Sequence, residues 1–129
     1  MCSVTLPWYL EDERTEFTDS LLVSLADIEA WVPALWRIEF TNALLTAMRR
    51  GRIDEDWFAE SIEHAERLGL RIDDTPVALS RISKLAFAGN LTAYDAAYLE
   101  LAGRRRLRLA TSDKELRRAA SEIGVKLVD

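Results

Sequence analysis

Long apolar runs are missing from this chain. Nothing approaches the ~18 consecutive apolar residues that a membrane-crossing helix needs, and no signal-peptide pattern opens the sequence. Cysteine occurs once, at Cys2, which excludes a disulfide framework and any zinc cluster built from several thiolates. Histidine also occurs once; His64 sits between Glu63 and Glu66 on a charged stretch, where a solvated surface role outweighs a general base. Glycine and proline number only five and three, so they punctuate the chain and form no linker. With no repeat and no low-complexity tract, the 129 residues read as a single domain, 1–129, cytoplasmic and without a membrane partner. At that length the 49% hydrophobic content can build a core unaided by metal or crosslink.

Charge is unevenly distributed. The net charge is −5, yet residues 1–36 hold seven acids against one base, whereas residues 104–118 hold seven bases against two acids. Overall acidity argues against a protein that coats DNA nonspecifically, but it permits a local basic patch. Arg104, Arg105, Arg106 and Arg108 fit two readings equally: contacts to RNA phosphate, or a solvated helix end and the outward face of a strand. Trp8, Trp31, Trp36 and Trp57 could stack bases, but core or dimer-contact roles are the commoner use of such side chains.

Periodicity predicts strands alternating with helices. Strand signals fall at Glu29–Val32, Leu70–Ile72, Arg106–Ala110 (Arg and Leu alternating) and Val125–Val128. Helical spacing covers Leu6–Leu10, Phe17–Leu25, a helix from Pro33 to Arg50, Asp54–Leu68, Pro76–Phe87, Thr92–Arg104 and Asp113–Ile123. Such alternation implies a helix-dominant α/β fold on a parallel sheet with helices on both faces. A first strand is missing, because Met1-Cys2-Ser3-Val4 is too short to supply one.

In an open parallel sheet, ligands bind beyond the carboxyl ends of the strands. Three acids fall near that edge: Asp113 directly after the Arg106–Ala110 strand, Asp95 one turn into the helix that begins at Thr92, and Glu39 inside Pro33–Arg50. Converging carboxylates repel one another unless a divalent cation sits among them, and hard oxygen donors suit Mg²⁺ or Mn²⁺. Asp95 and Asp113 also fit helix capping, in Thr92-Ala93-Tyr94-Asp95 and in Ser112-Asp113-Lys114-Glu115, so both readings stay open. Glu39, amid Trp36, Ile38, Phe40 and Leu44, would be costly to bury without a cation or basic partner. Asn42 lies three residues on, on the same helical face.

Three stretches together resemble the internal motifs of PIN-domain ribonucleases, particularly VapC-type toxins. They are Pro33-Ala34-Leu35-Trp36-Arg37-Ile38-Glu39-Phe40-Thr41-Asn42-Ala43-Leu44, Leu91-Thr92-Ala93-Tyr94-Asp95-Ala96-Ala97-Tyr98-Leu99-Glu100-Leu101-Ala102 and Leu109-Ala110-Thr111-Ser112-Asp113-Lys114-Glu115-Leu116. Their order and spacing match as well. The resemblance implies a PIN-like three-layer α/β/α sandwich on a small parallel sheet. It implies an acidic cluster of Glu39, Asp95 and Asp113 that binds Mg²⁺ or Mn²⁺ and cleaves RNA phosphodiesters, supported by Asn42, Thr111 and Ser112. It also implies a cognate antitoxin and a homodimer, as in VapBC-like toxin–antitoxin pairs.

The departure is at the start. The family's first motif is an apolar strand ending in Asp, then a small residue and Ser. Here Cys2-Ser3-Val4-Thr5-Leu6-Pro7-Trp8-Tyr9-Leu10 matches the segment after that Asp, and Met1 stands in the place of the Asp itself. The expectation is a first strand truncated upstream of Met1; a copy lacking the first motif Asp is the other reading. The latter leaves a second function open, a catalytically impaired PIN-like module that binds an antitoxin or RNA without cleavage. A phosphoryl-accepting receiver domain is more distant, since the paired acids expected after an early strand are missing.

Overall fold

Why these residues take up these elements is clearest at the helix starts. The computed structural model describes residues 2–129, helix-dominant and of α/β class, with a two-stranded parallel sheet. Backbone contacts gather in two compact units, residues 2–72 and 73–129.

The first unit comprises α1 (Cys2–Thr5), 3₁₀ turns at Leu6–Trp8 and Glu11–Glu13, α2 (Glu16–Ser24), β1 (Trp31–Pro33), α3 (Leu35–Arg49) and α4 (Glu55–Glu66). It also holds the first two residues of β2 (Arg71–Asp73). Thr15 caps α2 through a reciprocal capping box with Thr18, and Asp54 caps α4 by accepting the Trp57 N–H at 2.7 Å. Pro33 closes β1 and does not open α3, which begins two residues later; having no N–H to give to a ladder, proline is tolerated at a strand end. The Arg71 N–H donates to the Ala30 carbonyl at 2.8 Å, beside the β1–β2 pairing.

Aromatic side chains organise this unit. Trp36 is stacked on Phe40 (centroids 5.0 Å apart), and Tyr9 meets Phe40 edge-on at 5.4 Å. Val4, Leu10, Val32, Leu44, Ala47 and Ala65 are buried with them. Three indole N–H groups bond within the unit: Trp36 to the Thr5 hydroxyl (3.0 Å), Trp8 to the Thr18 carbonyl (2.6 Å) and Trp57 to the Tyr9 carbonyl (2.7 Å). The exposed His64 Nδ1 lies 2.8 Å from the Tyr9 hydroxyl, whose pKa burial pushes up to about 12. Arg52 holds Asp12 and Glu13 at 2.9 and 2.7 Å.

Ser61 on α4 is buried, and among the described residues its hydroxyl has no hydrogen-bond partner. An unsatisfied buried hydroxyl costs about 1–3 kcal/mol of desolvation, whereas alanine keeps the helix without that loss. Ser61→Ala is therefore expected to raise the melting temperature. A lower midpoint in a thermal melt would mean that the hydroxyl is satisfied in solution.

The second unit holds Asp73 of β2, α5 (Leu79–Gly89), α6 (Ala93–Arg105) and α7 (Lys114–Glu122). The two strands expected at Arg106–Ala110 and Val125–Val128 reduce to one parallel bridge, Leu109 to Leu127. The Leu109 N–H donates to the Lys126 carbonyl (2.8 Å), and the Val128 N–H donates to that of Leu109 (3.0 Å). The reason is local. α6 runs on through Arg105 and closes with Arg106 in the left-handed conformation (φ 57°), the Leu107 N–H returning to the Ala102 carbonyl at 2.9 Å. That cap uses up the residues that would have begun the strand.

α5 starts at Leu79, three residues later than the periodicity suggests, because Asp73 draws the Thr75 N–H into a turn (3.1 Å) and Ala78 stays extended. Gly89 lets α5 approach α7 closely: a Cβ there would stand 3.1 Å from the Ala119 Cβ. The core is Ala96, Tyr98, Leu99, Leu101, Ala102, Leu109, Leu116, Ala119 and Ala120. Among the described residues, no helix is long and apolar enough to cross a membrane.

Candidate functional site

Asp113 sits where the Leu109 segment ends and α7 begins. It is the N-cap of α7: its Oδ1 accepts the Leu116 N–H at 2.8 Å. The sequence pattern points to Ser112 as cap with Glu115 completing the box; instead Asp113 caps, and Glu115 pairs with Arg118 at 2.8 Å. Thr111 is fully buried and its hydroxyl accepts the Asp113 N–H at 3.0 Å, which fixes the turn that carries the carboxylate. Asp113 and Ser112 are exposed, and the Asp113 Oδ2 has no partner among the described residues. Capping and ligation are therefore compatible here, since each needs a different oxygen.

Asp95 is half-buried in the first turn of α6, its N–H bonded to the hydroxyl of the N-cap Thr92 at 3.1 Å. α6 and α7 pack against each other, so Asp95 and Asp113 lie in the first turn and at the N-cap of two neighbouring helices of one unit. Glu39 belongs to the first unit, in the middle of α3. Its surroundings are less enclosed than the apolar neighbours suggest. Glu39 is half-buried, Ile38 is 74% exposed, and Asn42 is exposed, because α3 turns only Trp36, Phe40, Leu44 and Ala47 fully inward. Among the described residues, within neither unit do three or more His, Cys, Asp or Glu side chains gather into a metal-holding group. Met1 lies outside the described residues.

The arginines divide into two kinds. Arg104 and Arg105, for which RNA contact and a solvated helix end stood level in the sequence, are engaged by a buried pair of acids. Arg104 forks onto Asp73 with two 3.0 Å bonds and also donates to Glu100 at 2.9 Å; Arg105 donates to Asp73 at 2.6 Å; Arg81 approaches Glu100 at 3.6 Å. Both carboxylates are only 2% exposed. The Arg104 guanidinium holds the Asp73 carboxyl well below its usual range, outweighing the opposing effect of burial, with Arg105 adding to it. The same bonds raise the Arg104 pKa. Arg106 and Arg108 are exposed and have no ion-pair partner among the described residues.

Sequence reasoning missed the Asp73–Glu100 cluster. Half of it was signalled by Glu100 in the apolar run Tyr98-Leu99-Glu100-Leu101-Ala102, one helical turn before Arg104. The Asp73 contact joins residues 31 apart and carries no local pattern.

No family model and no curated protein matches this chain. Among solved structures, the chain is similar to PAE2754 from Pyrobaculum aerophilum, with 30% sequence identity and a TM-score of 0.60 over 69% of this chain. The match spans 64% of the length of that protein, and over it the two share a backbone arrangement.

Proposed function

We propose that this protein is a PIN-like, metal-dependent endoribonuclease, the toxin of a VapBC-like toxin–antitoxin pair. The observation that carries the reading is Asp113: an exposed carboxylate just past the end of a parallel-paired segment, held by the buried Thr111, with one oxygen unoccupied by capping. Helix and strand rises support its company with Asp95. From Asp95 to the Arg106 turn, α6 descends ~16 Å at ~1.5 Å per residue, and an extended run at ~3.3 Å per residue regains that height in about five residues, near Thr111. Glu39, on α3 of the first unit, is the third acid that the resemblance implies.

The donor set, carboxylate oxygens with neighbouring hydroxyls, is of the hard oxygen kind that suits a divalent cation such as Mg²⁺ or Mn²⁺. Within the second unit Asp95 and Asp113 would hold Mg²⁺ or Mn²⁺, with Ser112 and Thr111 supporting; the resemblance adds Glu39 and Asn42 to that set. When bound, the ion supplies Lewis-acid stabilisation of charge on the scissile phosphate. The chain's own contribution is positioning. Thr111 fixes the Asp113 turn, Thr92 fixes the first turn of α6, and the rigid helices hold the carboxylates ready.

In this reading the protein is cytoplasmic and binds RNA and a cognate antitoxin. An apolar cavity of about 360 Å³ in the first unit, lined by Trp36, Phe40, Ile62, Ala65, Leu70 and Ile72 among others, offers a side-chain seat to such a protein partner. A homodimer fits the exposed Leu79 and Phe87 on α5.

A second reading is the same fold binding antitoxin or RNA without cutting, which the basic stretch 104–118 would serve with no metal. Incubation with single-stranded RNA and Mn²⁺ separates the two. Cleavage abolished by chelation and restored by excess Mn²⁺ is expected for the nuclease; RNA or antitoxin binding with no cation-dependent cleavage would select the module.

A further inference from the structure

The two units differ sharply in charge. Residues 1–72 hold seven bases and 14 acids, a balance of −7, whereas residues 73–129 hold ten bases and eight acids, +2. In the second unit most acids are already engaged. Asp73 and Glu100 are buried under Arg104, Arg105 and Arg81; Asp129 pairs with Arg117; Glu115 and Glu122 pair with Arg118. The surplus falls on cations with no ion-pair partner among the described residues, including Arg106, Arg108 and Lys126.

The parallel bridge brings two of these together. Leu109 is paired with Leu127, so their side chains leave the same face, and the alternation of an extended chain turns the preceding residue of each segment, Arg108 and Lys126, to the opposite face. Burial agrees: Leu109 is 6% exposed, whereas Arg108 and Lys126 both lie open to solvent. Like charges set directly across a strand pair are destabilising, and among the described residues no acid is ion-paired with either. An anion bridging both would relieve that repulsion. Arg108 also precedes Asp113 by five residues, an extended reach of at most ~17 Å, so both can act on one short polyanion.

We infer that Arg108 and Lys126 form a phosphate clamp for single-stranded RNA, with Arg106 beside it, which positions the backbone of the RNA whose cleavage is proposed above. The inference rests on that nuclease reading for the substrate but not for the clamp's geometry. Arg104 and Arg105 have no part in it, because their guanidinium groups serve Asp73 and Glu100.

The test is fluorescence anisotropy of a labelled single-stranded RNA, with the full chain carrying Asp113→Asn so that nothing is cut. Arg108→Gln combined with Lys126→Gln is expected to weaken binding several-fold. It should also flatten the slope of log affinity against log salt by roughly 1.4, the share of two single-strand phosphate contacts. Lys84→Gln, removing an exposed cation of α5, should leave both unchanged, and unaltered melting temperatures verify folding. Unchanged affinity and slope in the double variant overturn the clamp even where the unsubstituted chain cleaves RNA. Salt-dependent binding that needs both residues, in a chain that never cleaves, upholds the clamp and sinks the nuclease. Loss of binding to anionic phospholipid vesicles without loss of RNA binding also overturns it, in favour of a membrane surface.

Discussion

Asp73→Asn is expected to be the most destabilising single substitution in the buried ion cluster. The carboxylate accepts three short bonds from Arg104 and Arg105 and is 2% exposed. Asparagine keeps an acceptor but leaves two guanidinium groups facing a neutral amide. Breaking a buried pair by removing one partner costs about 3–5 kcal/mol. The guanidinium groups retain 31% and 35% exposure, so water recovers part of the loss and the lower end applies. For a chain of this size that is a fall of about 10 °C in melting temperature. A shift under a couple of degrees would mean that Glu100 alone satisfies Arg104.

The acid dependence has a definite sign. The folded-state pKa of Asp73 lies below its ordinary 3.8, so the carboxylate's contribution is complete above that value and is lost as pH falls below it. The gap in melting temperature between the unsubstituted protein and Asp73→Asn should be widest near neutrality and close progressively below about pH 4. A gap independent of pH would assign the loss to packing.

Asp113→Asn should separate capping from chemistry. Asparagine caps helices as well as aspartate does, so α7 and the melting temperature should survive. What it lacks is the charge at the oxygen that capping leaves open. Cleavage should fall by two orders of magnitude or more, the scale on which one lost charge-stabilising group acts in a pre-organised site. Asp95→Asn should match it. Substitutions that leave cleavage intact but lower the melting midpoint would return both residues to a purely structural role.

Elements set by local physics were largely readable. Asp54, Thr92 and Asp113 mark helix starts because their side chains reach N–H groups only three residues away. Both 31–33 and 71–73 lie within a residue of where apolar strand signals fall. The strand signals at Arg106–Ala110 and Val125–Val128 overstate the sheet, because alternation of Arg and Leu satisfies period 2 without revealing that α6 and its left-handed cap at Arg106 take the first residues. Of the candidate site, the carboxylates of Asp95 and Asp113 and the turn at Thr111 stand out in sequence because each falls beside a helix start.

Legible from the chain alone were the existence and order of the longer helices, with starts at Asp54, Thr92 and Asp113, and the crowding of acids in the first 36 residues and of bases in residues 104–118. Only tertiary structure decided which charges are spent. Arg104 and Arg105 look like Arg106 and Arg108 along the chain, yet the first two meet Asp73 across 31 and 32 residues and the others meet solvent. The physical reason is that periodicity and capping act over three or four residues, whereas the partner of a charge is chosen by whichever group folding brings within about 3 Å in a place from which water is excluded.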